Sequence, residues 1–393
     1  MNDTRKIGVL LTARPEGGAF QYTQAILEAA LALPPDKYSI VLAYRDPFWL
    51  DLINGRAPAI HLPDSLWGRI LNRVWHEARL PVSAWRKVAA PLDANMRALV
   101  AEGCDLWICP NQDRYSFRAE IPALGTIHDL MHRYEPSYAE VSDNGEYAAR
   151  EFHFAETCRW SRGVLVDSRV GKEQLEESYG VSSEKVFVLP FVAPRYIYDH
   201  DSTADAGIAE RYSLPEKYFF YPAQFYTHKN HPGLIAALSR LKESHPDVRL
   251  VLVGLKERNG FAKVQQLVKE NGLDDNVLFL GYVPDSDMPA LYRRARALVM
   301  PTFFGPTNIP QLEAFAMGCP VATSRIYGIP EQVGDAALLF DPHSVDEIYE
   351  SMVRLWTDDQ LCATLAERGK RHAEEWGPPQ FSNRLRDVID ALT

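Results

Sequence analysis

The sequence has no Cys-x-x-Cys pair, and its five cysteines (Cys104, Cys109, Cys158, Cys319 and Cys362) are odd in number and scattered. That pattern excludes a zinc ribbon and a disulfide framework, and predicts buried free thiols in a reducing compartment. A secretory apolar core is also lacking, since residues 1–6 are polar and run straight into a strand-like segment. No apolar run approaches the roughly 18 residues of a membrane span. The expectation is a cytoplasmic protein that meets a membrane, if at all, at its inner face. An excess of positive charge is missing as well: 42 Lys and Arg stand against 52 Asp and Glu, a net charge of −10. General nucleic-acid binding is thereby disfavoured, and any anionic ligand must be held locally. Neither an internal repeat nor a low-complexity tract is visible.

What is present is an α/β alternation that runs twice. A chain of 393 residues exceeds one ordinary core. Residues 7–11 are apolar, Pro15-Glu16-Gly17-Gly18-Ala19 follows, and a helical pattern occupies 22–33, as at the opening of a nucleotide-binding fold. Apolar runs at 39–44, 106–109, 124–127 and 163–166 read as parallel strands buried on both faces. A helix within 169–180 stops at Gly180. The stretch 193–216 reads as a linker. The alternation then restarts, with strands at 218–223, 249–254, 277–280, 297–300 and 321–323. The fold class is therefore α/β, with two Rossmann-like doubly wound domains at 1–195 and 196–372. A C-terminal helix in 373–393 is expected to cross back to the first domain. Ligands in such sheets bind beyond the carboxyl ends of the strands, so a cleft between the domains is the expected site.

The most informative stretch is 301–320, Pro-Thr-Phe-Phe-Gly-Pro-Thr-Asn-Ile-Pro-Gln-Leu-Glu-Ala-Phe-Ala-Met-Gly-Cys-Pro. A loop with Gly305 and Pro306 leads into a helix near Ile309–Pro310, where proline costs nothing. Backbone N–H groups of Thr307, Asn308 and Ile309 would point at an anion with the helix dipole behind them. Glu313, one turn in, could accept from a ribose diol. On physics alone a plain strand-to-helix connection explains the stretch about as well.

These residues resemble the signature of the retaining family-4 glycosyltransferases (glycosyl transferases group 1), which have the GT-B fold. Two glutamates with seven residues between them bracket a glycine-rich turn in that signature. Glu313 matches the second and Met317-Gly318-Cys319-Pro320-Val321 the segment after it, whereas position 305 holds Gly in place of the first, and Thr307-Asn308 replaces an aromatic-glycine pair. The resemblance assigns Glu313 to the ribose and the loop amides to the diphosphate and sugar. Tyr221-Pro-Ala-Gln-Phe-Tyr-Thr-His-Lys-Asn-His231 resembles the family's diphosphate segment, with Lys229 on the lysine that neutralises the leaving group. Gln224 and His228 stand at the two positions where members carry arginine. Thr126-Ile127-His128-Asp129-Leu130 resembles the family's His-Asp, so His128 is expected to reach the donor sugar and Asp129 to orient backbone. Gly17-Gly18 resembles the family's N-terminal glycine loop, and the turn at Gly281-Tyr282-Val283 its base-holding backbone. The matched segments run in family order over most of residues 7–342.

The resemblance implies transfer of a hexose, mannose first, from a GDP-, UDP- or dTDP-linked donor to a saccharide or lipid-linked saccharide, with retention and no metal cofactor. Catalytic roles fall to His128, Lys229 and Glu313, in surface polysaccharide biosynthesis. A nucleotide-sugar epimerase or phosphorylase, or a non-catalytic nucleotide-sugar-binding subunit, remains open. Asp285-Ser286-Asp287 resembles a metal-binding Asp-x-Asp but fits a helix N-cap before Met288. Segment 66–100 is locally basic, with Arg69, Arg73, Arg79, Arg86, Lys87 and Arg97 beside Trp67, Trp75 and Trp85. It reads either as a core helix with snorkelling arginines or as a peripheral contact with an anionic membrane.

Overall fold

The computed structural model describes residues 4–64, 68, 70, 75, 81–199, 205, 207–256 and 260–393. The chain forms two compact units. The first comprises Met1–His132, Asn144–Pro190 and Pro378–Thr393; the second comprises Arg133–Asp143 and Phe191–Gly377. Residues 133–143, expected in the N-terminal domain, thus group with the second unit, as do residues 191–195 and 373–377.

Among the described residues the first unit holds a seven-stranded sheet of β1 (Arg5–Leu11), β2 (Tyr38–Tyr44), β3 (Ala59–His61), β4 (Leu106–Ile108), β5 (Ala123–Thr126), β6 (Gly163–Val166) and β7 (Val186–Val188). All pairs are parallel, in the order β3-β2-β1-β4-β5-β6-β7, with Ile7 opposite Ile40 and Val9 opposite Leu42. Helices cover such a sheet on both faces, so its strands read as continuous apolar runs. Ile7, Val9, Leu10, Leu42, Leu106, Leu124 and Leu165 are accordingly fully buried. Gly8 is required by its neighbour strand: a Cβ there would lie 2.2 Å from the Trp107 ring. The C-terminal helix Pro378–Leu392 buries Phe381, Leu385, Val388 and Ile389, one helical stripe, and packs on the helix Gly17–Leu31. Asp390 on that helix accepts from Tyr38 and pairs with Arg5.

The second unit holds a six-stranded parallel sheet among its described residues: β8 (Phe219–Pro222), β9 (Leu250–Val253), β10 (Val277–Gly281), β11 (Ala297–Met300), β12 (Val321–Ser324) and β13 (Ala337–Phe340). Its order is β10-β9-β8-β11-β12-β13. The stretch 193–216 is more than a linker. It contains the short helices Arg195–Tyr198 and Ile208–Arg211, because Ile197 and Ile208 are buried in this unit's core.

All five cysteines are free and buried. Among the described residues no helix is long and apolar enough to cross a membrane. Most of the apolar stripe expected at 66–78 lies outside the described residues. Of its neighbours, Trp85 is core, edge-on to Trp75 at 5.1 Å, and Arg86 donates to the Phe117 carbonyl.

Candidate functional site

Strand β8 ends at Pro222, and the chain turns through Thr227-His228-Lys229 into the helix His231–Ser244. Asn230 adopts a left-handed conformation, φ 52°, and its side chain caps that helix through Gly233 N–H at 3.0 Å. This turn is fastened to the loop after β11, because the His228 carbonyl accepts from Phe303 N–H at 2.7 Å and from Thr302 Oγ1 at 3.1 Å. The two segments singled out from the sequence therefore meet. Lys229 Nζ donates to Asn308 Oδ1 at 3.4 Å.

Asn308 sits just before the helix Ile309–Ala316, whose first turn contains Pro310. Thr307, Asn308 and Ile309 are all buried. Gln332 pairs with both backbone groups of Asn308: its Oε1 accepts from Asn308 N–H at 2.9 Å and its Nε2 donates to Asn308 O at 2.8 Å. That corrects the expectation that the amides of 307–309 all face an anion, since one is already taken by a planar side-chain amide. Asn308 Nδ2, by contrast, is buried with no hydrogen-bond partner among the described residues. A buried unpaired donor costs about 1–3 kcal/mol, which a ligand acceptor would recover. Gly305 explains its own identity. Its φ is +136°, and a Cβ there would lie 2.7 Å from Asn308 Nδ2. A side chain at this position would force the Asn308 amide to shift.

Glu313 is buried, and its oxygens already accept from the hydroxyls of Tyr196 and Tyr292. Burial pushes its carboxyl up to about 7, although both tyrosine bonds pull the other way. Each oxygen keeps a further lone pair, so a ribose hydroxyl would join an existing clasp rather than fill an empty one.

Glu140 was not legible in the sequence. It belongs to the segment Arg133–Asp143 of the second unit, and its Oε1 accepts from His228 Nδ1 at 2.7 Å. Burial alone would raise its carboxyl. The bond and charge of His228 outweigh that and hold it below the ordinary value. Two more side chains of this segment fasten it. Tyr138 lies parallel to Phe303 at 6.3 Å, and Glu135 accepts from the Tyr327 hydroxyl at 2.5 Å.

The remaining expected residues are placed less centrally. Gln224 Oε1 accepts from Leu255 N–H at 3.2 Å, which locks the end of β8 to the end of β9. Val283 is buried just past β10, beside the exposed Tyr282. His231 lies between Tyr221 and Phe225, and burial, with Lys229 and His228 nearby, lowers it to about 3; it is a neutral structural ring. Asp287 takes the N-cap position of Met288–Arg294 without capping it, because its carboxylate accepts from Tyr212 and Arg211 instead. Among the described residues no three His, Cys, Asp or Glu side chains form a group that could hold a metal.

In the first unit, His128 follows β5, bonded to the Pro110 carbonyl and edge-on to Tyr22 at 5.2 Å. Burial lowers it to about 4, so it is neutral near pH 7. Asp129 accepts from Met131 N–H at 2.9 Å and pairs with Arg150. Gly17, φ +74°, opens the helix Gly17–Leu31 with Gly18 in its first turn.

Residues 209–372 match the protein family described as glycosyl transferases group 1. The O-antigen chain mannosyltransferase B of Escherichia coli is 27% identical over 256 residues, 65% of this chain and 66% of that protein. Mannosylfructose-phosphate synthase of Agrobacterium fabrum is 27% identical over 281 residues, 66% of this chain and 61% of that protein. The chain thus aligns with a little under two thirds of these relatives. Among solved structures, Anabaena HepE in complex with UDP and glucose superposes with a TM-score of 0.74 at 18% identity, covering 98% of this chain and 100% of that one. Sucrose-phosphate synthase from Thermosynechococcus elongatus gives 0.71 at 17% identity, with 99% of each chain covered.

Proposed function

We propose, from the match of residues 209–372 to the glycosyl transferases group 1 family and from the GT-B fold, that the chain is a retaining glycosyltransferase of that family. In this reading it moves a hexose from a nucleotide-sugar to a saccharide or lipid-linked saccharide, without a divalent cation. The observation that supports it most is the meeting of Lys229 with Asn308 at the start of the helix Ile309–Ala316. A lysine, a buried unpaired amide and a helix N-terminus together favour an anion whose charge grows as a bond breaks. Lys229 and His228 face the leaving diphosphate, Asn308 Nδ2 an oxygen of the donor, and Glu313 the ribose. His128, neutral and at the end of β5, serves as a hydrogen-bonding partner of the sugar rather than a cation. The leaving phosphate oxygen takes the acceptor's proton, so that no protein base is required.

Relatives named for mannosyl transfer make GDP-mannose the first donor to test, with UDP- and dTDP-sugars beside it. Surface polysaccharide synthesis is the corresponding setting. Peripheral contact with anionic lipid through residues 66–100 belongs to the same reading, and Val88 and Leu92 are exposed on the described part of that segment.

The test is a thermal-shift panel of GDP, UDP and dTDP, followed by release of the matching nucleoside diphosphate from its sugar conjugates with and without EDTA. Stabilisation by one nucleotide and EDTA-resistant, acceptor-stimulated release are expected. No stabilisation and no release would overturn the reading. Complete loss on chelation, restored by manganese, would overturn its metal-free part.

A further inference from the structure

One buried donor of the second unit is held in a single direction. Asn308 stands at the N-cap position of the helix Ile309–Ala316, where an asparagine ordinarily turns back to accept from the first backbone N–H groups. Here it does not. Its backbone is extended, with φ −144°, its side chain makes no cap bond, and Pro310 has no N–H to offer. Both backbone groups of Asn308 are gripped by the Gln332 side chain, and its Oδ1 accepts from Lys229 Nζ at 3.4 Å. All of these residues belong to the second unit.

A lysine ammonium only donates, so the Asn308 amide has one orientation open to it, with its oxygen towards Lys229 and Nδ2 turned away. Nδ2 has no hydrogen-bond partner among the described residues, and Asn308 is only 8% exposed. The amide rests against Gly305, where a Cβ would lie 2.7 Å from Nδ2 and 3.0 Å from Oδ1. Gly305 is half-buried, so the amide sits just under the surface of the loop. Its φ of +136° is one that side chains rarely adopt, and a backbone without a Cβ can turn aside to admit a ligand atom. The signature that this loop resembles has the acid at 305 and a glycine at 308; here the glycine stands at 305 and the polar side chain at 308. A carboxylate offers acceptors only, whereas this amide turns its N–H donors to that side. The exchange reverses the hydrogen-bonding polarity at one point of the loop, beside Lys229.

We propose that Asn308 is a specificity-determining residue for the transferred sugar: its Nδ2 donates to one oxygen of that sugar, so the chain selects for an acceptor atom at that position and is indifferent to the hydroxyl's own proton. The proposal rests on the glycosyl-transfer reading, in which Lys229 meets the leaving diphosphate beside this amide. A hydroxyl or carbonyl oxygen suits the position. A bare methylene leaves the buried donor unpaired, and a protonated amine meets it as a second donor.

Calorimetry on the full chain, without acceptor, tests it. The probes are GDP-mannose and UDP-glucose, the free diphosphates GDP and UDP, and the monodeoxy and monodeoxyfluoro analogues of both sugars at each hydroxyl-bearing carbon. Fluorine accepts weakly and cannot donate. One deoxy analogue should bind about tenfold more weakly than its parent, and the matching fluoro analogue only about threefold more weakly. In Asn308→Ala the deoxy penalty should shrink to about twofold or less, while binding of the free nucleoside diphosphate changes by about twofold or less and so reports an intact loop. In Asn308→Asp, which accepts and does not donate, the fluoro analogue should become as poor as the deoxy one, each compared with its own parent. No deoxy penalty in wild type, a fluoro analogue no better than the deoxy one, or an unchanged pattern in Asn308→Ala would overturn the proposal and leave the donor site standing. Loss of the free diphosphate together with the sugars in Asn308→Ala would make Asn308 a structural residue and overturn it as well. A wild type that binds neither nucleoside diphosphates nor nucleotide-sugars would remove the glycosyl-transfer reading along with it.

Discussion

Glu140 Oε1 lies 2.7 Å from His228 Nδ1, and the same oxygen is 3.4 Å from the His228 backbone N–H. One carboxylate therefore fixes both the ring and the backbone of the residue that precedes Lys229. Glu140→Gln keeps the shape and removes the charge. We expect turnover to fall about tenfold with donor KM changed less, because orientation matters most as charge develops. Its stability effect has a sign. A carboxyl held below its unfolded value adds stability above that value and loses it as pH falls through the native one. The variant should therefore be less stable than wild type at pH 7, and the difference should shrink as pH falls below the ordinary carboxylate range, as read by denaturant midpoints.

Glu313 has the opposite sign. Its native value of about 7 exceeds the ordinary 4.5. Relative to the unfolded chain, its contribution is complete below pH 4.5 and disappears as pH rises towards 7. The difference approaches about 3 kcal/mol, since each pKa unit is about 1.36 kcal/mol. Stability of wild type measured against Glu313→Gln should fall across that window. A flat difference between the two proteins would contradict the assignment. Tyr292→Phe removes a bond that favours the carboxylate and should extend the fall to higher pH.

Replacing Lys229 by Ala should lower turnover by about a hundredfold or more while donor affinity falls far less, since the charge it meets grows in the transition state. Glu313→Ala should chiefly weaken nucleoside diphosphate binding. Paired measurements of kcat and Kd check this, and identical behaviour of the two variants would refute the division of roles.

Gly305→Glu restores the acid that the family signature carries at this position. It should nonetheless destabilise the protein by about 1–3 kcal/mol, because a φ of +136° strains any side chain and Asn308 already fills the space. Thermal unfolding reads this directly. The double variant with Asn308→Gly should recover part of the loss.

The strands that read clearly in the sequence are those whose apolar runs are buried on both faces, such as β6 and β11, whose bounds coincide with the expected ones. Strand β3, Ala-Ile-His, has no such run and was missed. Glu313 was legible from its place after the loop, but its tyrosine partners were not, because Tyr196 stands 117 residues away in a stretch read as linker. Glu140 lies 88 residues from His228 on a polar segment with no pattern to mark it. Local spacing signals loops and helix starts; contacts made by chain crossover leave no trace in it.

The excursion of residues 133–143 matters for anyone who would exchange halves between relatives. A chimera joined near residue 191 would inherit Lys229 and Asn308 from one parent and Glu140, Tyr138 and Glu135 from the other. The partner of His228 would then be a stranger's side chain, however well each half had been chosen. Splicing that respects the molecule has to transplant the short inner segment together with the second half, as one non-contiguous cassette.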